Sequence, residues 1–340
     1  MLTTDANGPG SVLCVETATD VEVSPGVLVR YCHRFADVSI SGTLLRLLSQ
    51  YISWADVVHL TSVYSFPTIP TLVACKMLHK PLVWSPRGML QRWEGTRRPY
   101  LKQVWEYLCR AAAPGHLTLH TTSQEEARES QSRIPGVDTI VIPNGIEIPA
   151  TVVRRDGVGK TRFVYLGRLD PKKGIENLLD AFKILRDTVE SPVCLVIAGG
   201  GDEEYAQEIN SRIRQLELEQ SVQMLGPISD DPKREFFEAA DVLVCPSHTE
   251  NFGVVVAEAL AHGVPVIASR GTPWQRVEEI GCGLWVDNDP ASLAAAMTRI
   301  LSMPLHEMGL RGREWMRREF GWDSLAREMV SVYQGLLSAS

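Results

Sequence analysis

The clearest evidence for the fold class lies in residues 241–258, DVLVCPSHTENFGVVVAE. The apolar run Val242–Cys245 predicts a buried parallel strand that ends at a proline. The apolar residues after Gly253 predict a helix, so the stretch contains a strand, a loop and a helix in that order. Two carboxylates lie eight residues apart in it, with Glu250 in the loop and Glu258 about two turns into the helix.

Eight residues of helix span roughly 12 Å, which is too far for two carboxylates to act as one acid–base pair. The spacing suits the two ends of an elongated ligand that places an anionic group at the helix N-terminus. A nucleotide sugar has this shape, with its sugar, diphosphate and ribose in line. Taken alone, two glutamates at this spacing are more typical of an ordinary loop and a solvated helix surface, so the surrounding motifs must decide the function.

From Phe163 onward, short apolar strands alternate with helical segments. Strands are predicted at Phe163–Gly167, Cys194–Gly199, Val222–Gly226, Val242–Pro246, Pro265–Ser269 and Gly283–Val286, and helices near 174–188, 203–216, 232–239, 253–262, 273–279 and 291–302. Six strands that alternate with helices predict a doubly wound parallel sheet of the Rossmann type.

The first half of the chain alternates in the same way after a hairpin. The hairpin strands are Val21–Val23 and Val27–Tyr31, later strands are predicted at Val57–Leu60, Leu82–Ser85, Leu117–Thr121 and Thr139–Ile142, and helices at 66–79, 98–112 and 123–132. The polar stretch 147–162 is the predicted linker. We therefore expect α/β domains over 1–150 and 151–321, followed by an amphipathic helix within 322–340. Because ligands of parallel sheets bind beyond the carboxyl ends of the strands, we expect the site in a cleft between the two domains.

Composition excludes several classes of protein. The net charge is −7, all of it in residues 151–340, where 21 Lys and Arg face 28 Asp and Glu, and this argues against nucleic acid as a partner. The 7 cysteines are scattered without a Cys-x-x-Cys motif, which is typical of a reducing cytoplasm. No apolar run is long enough to cross a membrane. The sequence leaves the oligomeric state open.

Two further motifs follow predicted strands. Residues 166–174, LGRLDPKKG, place Arg168 and Lys173 at a strand's carboxyl end, where a diphosphate would be bound by a guanidinium fork and an ammonium point charge. Residues 197–202, IAGGGD, place glycines where the backbone can approach a ligand closely. They do not form Gly-x-Gly-x-x-Gly, so a nicotinamide cofactor is poorly supported. Taken alone, both motifs are also consistent with ordinary solvated turns.

Together these stretches resemble glycosyltransferase family 4, whose members are retaining enzymes of the GT-B fold. The Glu-x7-Glu spacing, the Gly-Arg-Leu-x-x-x-Lys-Gly pattern and the Ala-Gly-x-Gly pattern are all present in register with strand–loop–helix units. The resemblance implies two Rossmann-like domains that face each other across a cleft. It also implies a nucleotide-diphosphate sugar as donor, with no cofactor and no required metal.

The resemblance assigns roles to particular residues. Glu250, Arg168 and Lys173 would be catalytic, with the two cations on the donor diphosphate, Glu250 on the donor sugar and Glu258 on the ribose. The donor-binding set would be Gly167, Arg168, Lys173, Gly199, Gly200, Glu250, Asn251, Phe252, Gly253, Val254 and Glu258.

Two later motifs have structural interpretations that compete with ligand binding. Thr272 is positioned to cap a helix that begins at Pro273. Residues 287–289, Asp-Asn-Asp, match a metal-binding Asp-x-Asp pattern of GT-A glycosyltransferases, but they stand just before a proline and a helix. A turn and a helix cap explain them better, so we predict no metal site there.

In the first half, the resemblance points to an acceptor side made of His59, Arg87 and Gly88. Many family members have His-Gly where this chain has Arg87-Gly88, so the identity of the residue nearest the donor sugar is open. His59 ends a predicted strand, where a purely structural histidine is the alternative. The acceptor that the family implies is a glycan, a lipid-linked sugar or a small molecule.

Residues 87–110 are basic, with a net charge of +4, and Trp93, Tyr100 and Trp105 are interleaved with the cations. One interpretation is a peripheral contact with an anionic membrane at the inner face of the cell membrane. The alternative is an ordinary surface helix whose aromatic rings are buried in the core.

The beginning of the chain departs from the family pattern. Residues 2–9, LTTDANGP, resemble the stretch after the second family strand, so the first strand, its glycine loop and the first helix have no counterpart here. We therefore expect an incomplete first domain. Two alternatives to a transferase stay open, namely a catalytically impaired nucleotide-sugar-binding protein and a sugar-nucleotide epimerase of the same fold.

Overall fold

The computed structural model describes residues 1–8, 11–17, 19–35, 40–92, 98–152 and 159–338, with the side chains of 230 and 231 excepted. The chain divides into two compact units, Met1–Ile142 with Glu328–Ser340 (unit 1) and Pro143–Arg327 (unit 2). Part of the predicted linker, residues 153–158, lies outside the described residues.

The described residues of unit 1 form seven strands and four helices, followed by the end of the last helix. The strands are Leu2–Thr4 (β1), Asp20–Ser24 (β2), Val27–Cys32 (β3), Val58–Thr61 (β4), Leu82–Ser85 (β5), Leu117–Thr121 (β6) and Asp138–Val141 (β7); the helices are Gly42–Trp54 (α1), Thr68–Met77 (α2), Pro99–Ala112 (α3) and Gln124–Arg133 (α4). Serines cap two of these helices, since Ser41 accepts from the amide of Leu44 and Ser123 from that of Glu126.

The strands of unit 1 form two sheets. β1 pairs with β3 in parallel and β2 pairs with β3 in antiparallel fashion, so the predicted hairpin is confirmed. β4, β5, β6 and β7 form a separate parallel sheet in that order. β5 and β6 are buried along their whole length, as expected for central parallel strands. Among the described residues, β4 has a strand partner on one side only.

Unit 2 is a six-stranded parallel sheet with helices on both faces. Its strands are Thr161–Leu166 (β8), Val193–Ala198 (β9), Val222–Gly226 (β10), Val242–Cys245 (β11), Val266–Ser269 (β12) and Gly283–Val286 (β13). Its helices are Ile175–Thr188 (α5), Glu203–Gln215 (α6), Asp230–Glu238 (α7), Val254–Ala261 (α8), Arg276–Ile280 (α9), Pro290–Ile300 (α10) and Leu305–Glu319 (α11); α12, Trp322–Ser338, begins in unit 2 and ends in unit 1.

The strand order β10-β9-β8-β11-β12-β13 explains where a ligand of unit 2 would bind. The chain runs outward from β8 through β9 and β10, and then returns to β11 on the other side of β8. At this switch point the loops after β8 and β11 leave the sheet toward opposite faces and open a crevice at the carboxyl edge. The predicted doubly wound sheet, with its six strands, is confirmed.

Buried side chains fill both faces of this sheet. Helices α5, α6 and α10 contribute to one core, together with strand residues such as Phe163 and Ile197. Helices α7, α8 and α11 contribute to the other core, together with Val164 and Leu243. The alternation of side chains along each buried strand supplies both layers, which is why these strands are apolar without interruption.

Several elements differ from the sequence prediction. Helix α9 begins at Arg276 and not near residue 273, so Thr272 does not cap it; the Thr272 hydroxyl donates instead to the carbonyl oxygen of Ser269 at 2.7 Å. The sequence also did not predict β1, α1, α11 or a short 3₁₀ helix, Pro171–Lys173.

Candidate functional site

The loops after β8 and β11 contact each other at the switch point. The amide of His248 donates to the carbonyl oxygen of Lys172 at 2.9 Å. Gly174 has a φ of +66°, and a Cβ there would collide with the carbonyl oxygen of Pro246. Only glycine fits this close approach without strain, so the sequence fixes how tightly the two loops come together.

An ion pair joins the two loops. The Lys173 ammonium contacts the Glu250 carboxylate, and the Ser247 hydroxyl donates to the same carboxylate at 2.8 Å. The side chains of Lys173 and Glu250 are only 18% and 13% exposed. The structure therefore brings together two of the residues that the sequence singled out, and it adds Ser247.

Two more cations stand beside this pair. Burial lowers the pKa of Lys172, an effect that the nearby Glu250 charge opposes. Arg168 is exposed, and its guanidinium has no hydrogen-bond or ion-pair partner among the described residues. Tyr165 fixes the loop beneath it by donating to the carbonyl oxygen of Arg168 at 2.8 Å. Lys172 was missed by the sequence reasoning, although it directly precedes Lys173.

The glycines after β9 have a packing explanation. Gly199 has a φ of +147°, and a Cβ there would collide with the carbonyl oxygen of Gly167. The amide of Leu169 donates to the carbonyl oxygen of Gly200 at 2.9 Å, so the β9 loop lies directly against the β8 loop. These glycines therefore allow two backbones to meet, and they support the loop that carries Arg168.

Helix α8 begins immediately after Gly253. Phe252 is buried and packs against the ring of Trp274, whose indole nitrogen donates to the Phe252 carbonyl oxygen at 2.5 Å. Val254, the first residue of the helix, is exposed. The first amides of a helix have no acceptor within it and attract anions. Asn251 lies in the same turn, between Glu250 and the buried phenylalanine.

Glu258 lies on α8 and is half-buried. Its carboxylate forms an ion pair with Lys233 of α7. Its carbonyl oxygen accepts from His262 Nδ1 at 2.7 Å. Lys233 stands 25 residues before Glu258 in the chain, and no sequence signal identified it as a partner.

The Asp-x-Asp motif performs the predicted structural role. Asp289 caps α10 by accepting from the amide of Ser292 at 2.9 Å, which confirms the interpretation as a helix cap. Asp287 forms an exposed ion pair with Arg270 at 3.5 Å. No group of three or more His, Cys, Asp or Glu is placed to hold a metal ion in the part of the chain that the structure describes.

In unit 1, polar groups of β4, β5 and β6 meet near the carboxyl ends of β5 and β6. His59 Nδ1 lies 2.5 Å from the Tyr333 hydroxyl, and His59 Nε2 lies 2.6 Å from Ser85 Oγ. Ser85 Oγ lies 2.8 Å from His120 Nδ1, and His120 Nε2 lies 2.9 Å from the carbonyl oxygen of Ile142. Of these residues, the sequence reasoning identified only His59.

The protonation state of the rings and the carbonyl of Ile142 together fix the direction of the hydrogen bonds in this chain of groups. Burial lowers the pKa of His120, and it lowers the pKa of His59 to about 4, so the neutral form of both imidazoles is favoured. A carbonyl only accepts, so His120 Nε2 carries the single proton of its ring and its Nδ1 accepts from Ser85. Ser85 then accepts from His59 Nε2, and Tyr333 donates to His59 Nδ1.

The charge of Arg87 also lowers the pKa of His59 and His120, after burial. The backbone of Arg87 has a φ of +54°. The amide of the following residue, Gly88, donates to the buried carboxylate of Glu126, which also accepts from Thr122 at 2.7 Å. The structure thus brings His59, Arg87 and Gly88 to one edge of the unit 1 sheet.

The basic segment 87–110 is described only in part, because residues 93–97, with Trp93 among them, lie outside the described residues. Trp105 is partly buried, and its indole nitrogen donates to the carbonyl oxygen of Val63 at 2.8 Å. Tyr100 is 73% exposed, so the interpretation in which the aromatic rings of this helix are buried is wrong for that residue. No helix among the described residues is long and apolar enough to span a membrane.

Two family models match the chain. The model for glycosyltransferase family 4 matches residues 7–148, and that for glycosyl transferases group 1 matches residues 154–315. Together they cover both units and every residue of the two candidate sites except Tyr333.

Curated relatives match over part of their length. A D-inositol 3-phosphate glycosyltransferase of Acidothermus cellulolyticus is 32% identical over 214 residues, which are 60% of this chain and 47% of that protein. A phosphatidyl-myo-inositol mannosyltransferase of Mycobacterium leprae is 32% identical over 219 residues, which are 61% of this chain and 56% of that protein. The chain thus spans about half the length of the curated relatives it matches.

Solved structures match over nearly the whole chain. Sucrose-phosphate synthase from Thermosynechococcus elongatus superimposes with a TM-score of 0.76 at 24% identity, covering 94% of this chain and 86% of that one. Anabaena HepE in complex with UDP superimposes with a TM-score of 0.74 at 18% identity, covering 90% of this chain and 86% of that one. These likenesses confirm the α/β fold class expected from the sequence, that of GT-B proteins.

Proposed function

This chain belongs to the glycosyltransferases that these two models describe, family 4 and group 1, and we propose that it transfers a sugar from a nucleotide-diphosphate sugar to an acceptor hydroxyl. The observation that carries the proposal is the meeting of the β8 and β11 loops at the switch point, where Arg168, Lys172 and Lys173 stand together. Three cations on one edge of a parallel sheet suit a diphosphate.

The exposed Arg168 guanidinium offers two parallel N–H donors to a diphosphate, and the lysines add compact positive charge. The same cations stabilise the negative charge that develops on the departing nucleoside diphosphate. In this proposal the protein's own cations supply the stabilisation that a metal ion provides in other transferases. The acceptor attacks from the face that the leaving group vacates, so the anomeric configuration is retained.

Glu250 is assigned to the donor sugar. Its contacts with Lys173 and Ser247 hold the carboxylate at the crevice, beside the start of α8. A carboxylate that accepts hydrogen bonds from sugar hydroxyls keeps the transferred ring next to the diphosphate cations. The amides of Phe252, Gly253 and Val254 then lie where the sugar and phosphates meet the helix N-terminus.

Glu258 is assigned to the ribose. It lies two turns farther along α8, and its partner Lys233 leaves one carboxylate oxygen for a diol. A ribose would therefore bind beside an existing ion pair without displacing it.

The acceptor is proposed to be an alcohol on a glycan, a lipid-linked sugar or a small polyol. Two relatives are named for inositol-containing acceptors, which supports a polyol or lipid-linked class. The neutral imidazole of His59 and the cation of Arg87 supply the polar groups on the acceptor side.

The donor site is tested by binding. Thermal unfolding of the wild-type chain with UDP-, GDP- and ADP-sugars should show stabilisation by one nucleotide class, by about 2.7 kcal/mol at a ligand concentration of 100 times Kd. Arg168→Ala should lose this stabilisation. The matched control is Arg162→Ala, an exposed arginine at the start of the same strand, which should keep it. Wild-type affinity in Arg168→Ala would refute the site.

Variants of the two glutamates should differ in the ligands that they fail to bind in the same assay. Glu258→Ala should weaken the free nucleoside diphosphate and the nucleotide sugar alike, because both contain the ribose. Glu250→Ala should retain the free nucleotide and lose the contribution of the sugar. Equal losses of both ligands in both variants would contradict the assignment.

Product analysis distinguishes the alternatives. Transfer to an acceptor, or hydrolysis of the donor with retention, supports the transferase. Nucleotide-sugar binding without turnover would identify a binding protein, and an isomerised nucleotide sugar would identify an epimerase.

A further inference from the structure

Helices α2 and α3 of unit 1 share an exposed apolar surface. On α3, Tyr100 is 73% exposed and Tyr107 is 61% exposed. On α2, which packs beside α3, Met77 is 73% exposed. Smaller apolar side chains extend this surface, and all are exposed: Val73 and Leu78 from α2 and its end, and Leu101, Val104 and Leu108 from α3. We call these eight residues the α2–α3 face.

Helix α3 is apolar on its exposed side as well as on its buried side. Its buried side carries Glu106, Cys109 and Ala112, while its exposed side carries the apolar stripe. Glu106 is satisfied internally, because it accepts from the Tyr64 hydroxyl and forms an ion pair with Arg92. The helical period therefore places the apolar residues 100, 104, 107 and 108 together on the outward side of α3.

Positive charge predominates in the segment that carries the α2–α3 face. Residues 66–112 carry eight Lys and Arg against two Glu, a net charge of +6, although the whole chain carries −7. Arg98 and Arg110 are exposed at the two ends of α3, and Lys76 is exposed on α2. The only acidic residue of α2 and α3 is the buried Glu106.

We propose that the α2–α3 face docks onto an anionic lipid bilayer, with α3 lying in the plane of the headgroups. Tyrosine, leucine and methionine side chains insert between the lipids, and the flanking arginines and lysine contact the negatively charged headgroups. An apolar stripe bordered by cations and without exposed carboxylates is the composition that interfacial helices have. This inference goes beyond the proposed transfer reaction, because it concerns where the protein lies and not what it transfers.

A second copy of the chain is a poorer partner for the same face. A two-fold contact would bring this net charge of +6 against an identical positive surface, and like charges oppose such association. Charge complementarity therefore favours a negatively charged surface.

The test is flotation of the full chain with vesicles of phosphatidylcholine alone and with vesicles that also contain phosphatidylglycerol. The wild-type protein should float with the mixed vesicles and remain unbound with the neutral ones. The double variant Arg98→Glu with Arg110→Glu should bind more weakly, by about fivefold for each arginine removed and further for each glutamate added. Its matched control is Arg299→Glu with Arg318→Glu, which changes two exposed arginines of unit 2 by the same charge.

A second pair of variants tests the apolar contribution. Leu101→Ser with Leu108→Ser should reduce flotation, whereas Leu225→Ser with Leu310→Ser, exposed leucines of unit 2, should not. An unchanged melting temperature and retained nucleotide binding would show that each variant is folded. The proposal is overturned if the wild-type protein binds neither kind of vesicle, a result that would point to a protein partner. It is also overturned if the charge variant and its control float equally. Because vesicle binding needs no sugar donor, its failure is distinguishable from failure of the proposed transferase activity.

Discussion

The ion pair between Lys173 and Glu250 should be strongly coupled, and a double-mutant cycle measures this. Both side chains are mostly buried, so removing one partner leaves a charge with little solvent to compensate it. Glu250→Ala leaves Arg168, Lys172 and Lys173 without this carboxylate and should cost roughly 3 kcal/mol of unfolding free energy. Lys173→Ala should cost less, about 1–2 kcal/mol, because Ser247 still donates to Glu250.

The double variant should cost less than the sum of the two single variants, by about 1–3 kcal/mol. The matched control is the pair of Lys183 and Asp187 on α5, whose side chains are 29% and 49% exposed. That cycle should give a much smaller coupling, because exposed ion pairs contribute little to stability. Hydrogen exchange of peptides from β8 and β11, followed by mass spectrometry, reports the opening free energy of unit 2. The reasoning is refuted if the first coupling does not exceed the control, or if Lys173→Ala costs more than Glu250→Ala.

Three further outcomes are expected from thermal unfolding. Gly199→Ala should destabilise the protein by on the order of 1–3 kcal/mol, because its Cβ meets a backbone carbonyl of the β8 loop; no loss would contradict that contact. Burial lowers the pKa of His120 in the folded protein. The contribution of this ring to the free energy of unfolding is therefore complete above about pH 6.5, and it is lost as the pH falls below that value, because the unfolded chain then takes up a proton. His120→Asn should therefore flatten the loss of stability in acid, and the exposed His116→Asn should not. Glu106→Ala should cost roughly 3–5 kcal/mol, because it removes one partner of a buried ion pair, whereas the exposed Glu314→Ala should cost far less.

The sequence predicted the alternation of unit 2 closely, because its buried strands are continuous apolar runs and its helices begin at clear caps such as Asp202 and Asp289. Helix α11, which contains Gly309 and Gly312, was not predicted from the sequence. In the structure both glycines are buried, and a Cβ at Gly309 would collide with the backbone of Gly263. These glycines serve helix packing, a role that only the tertiary contact reveals.

For the candidate sites, local motifs identified Arg168, Lys173 and Glu250, because each lies in a loop that directly follows a buried strand. Their partners were not predictable in the same way. Lys233 reaches Glu258 from another helix, and Tyr333 reaches His59 across 274 positions of the chain. Such pairs depend on how elements pack, and periodicity and spacing carry no information about that.

The strand order of unit 2 also determines when the candidate donor site can form during folding. β8, β9 and β10 pair with neighbours close in sequence, whereas β11 must return to β8, with Val242 opposite Phe163 after 79 residues. Closing so long a loop costs conformational entropy before favourable contacts compensate for it, so the pairing of β8 with β11 should occur late in folding. Pulsed hydrogen exchange during refolding should show amides of β9 protected before those of β11. The cationic crevice, where we propose that the nucleotide sugar binds, would then form only when the second half of the sheet has joined the first.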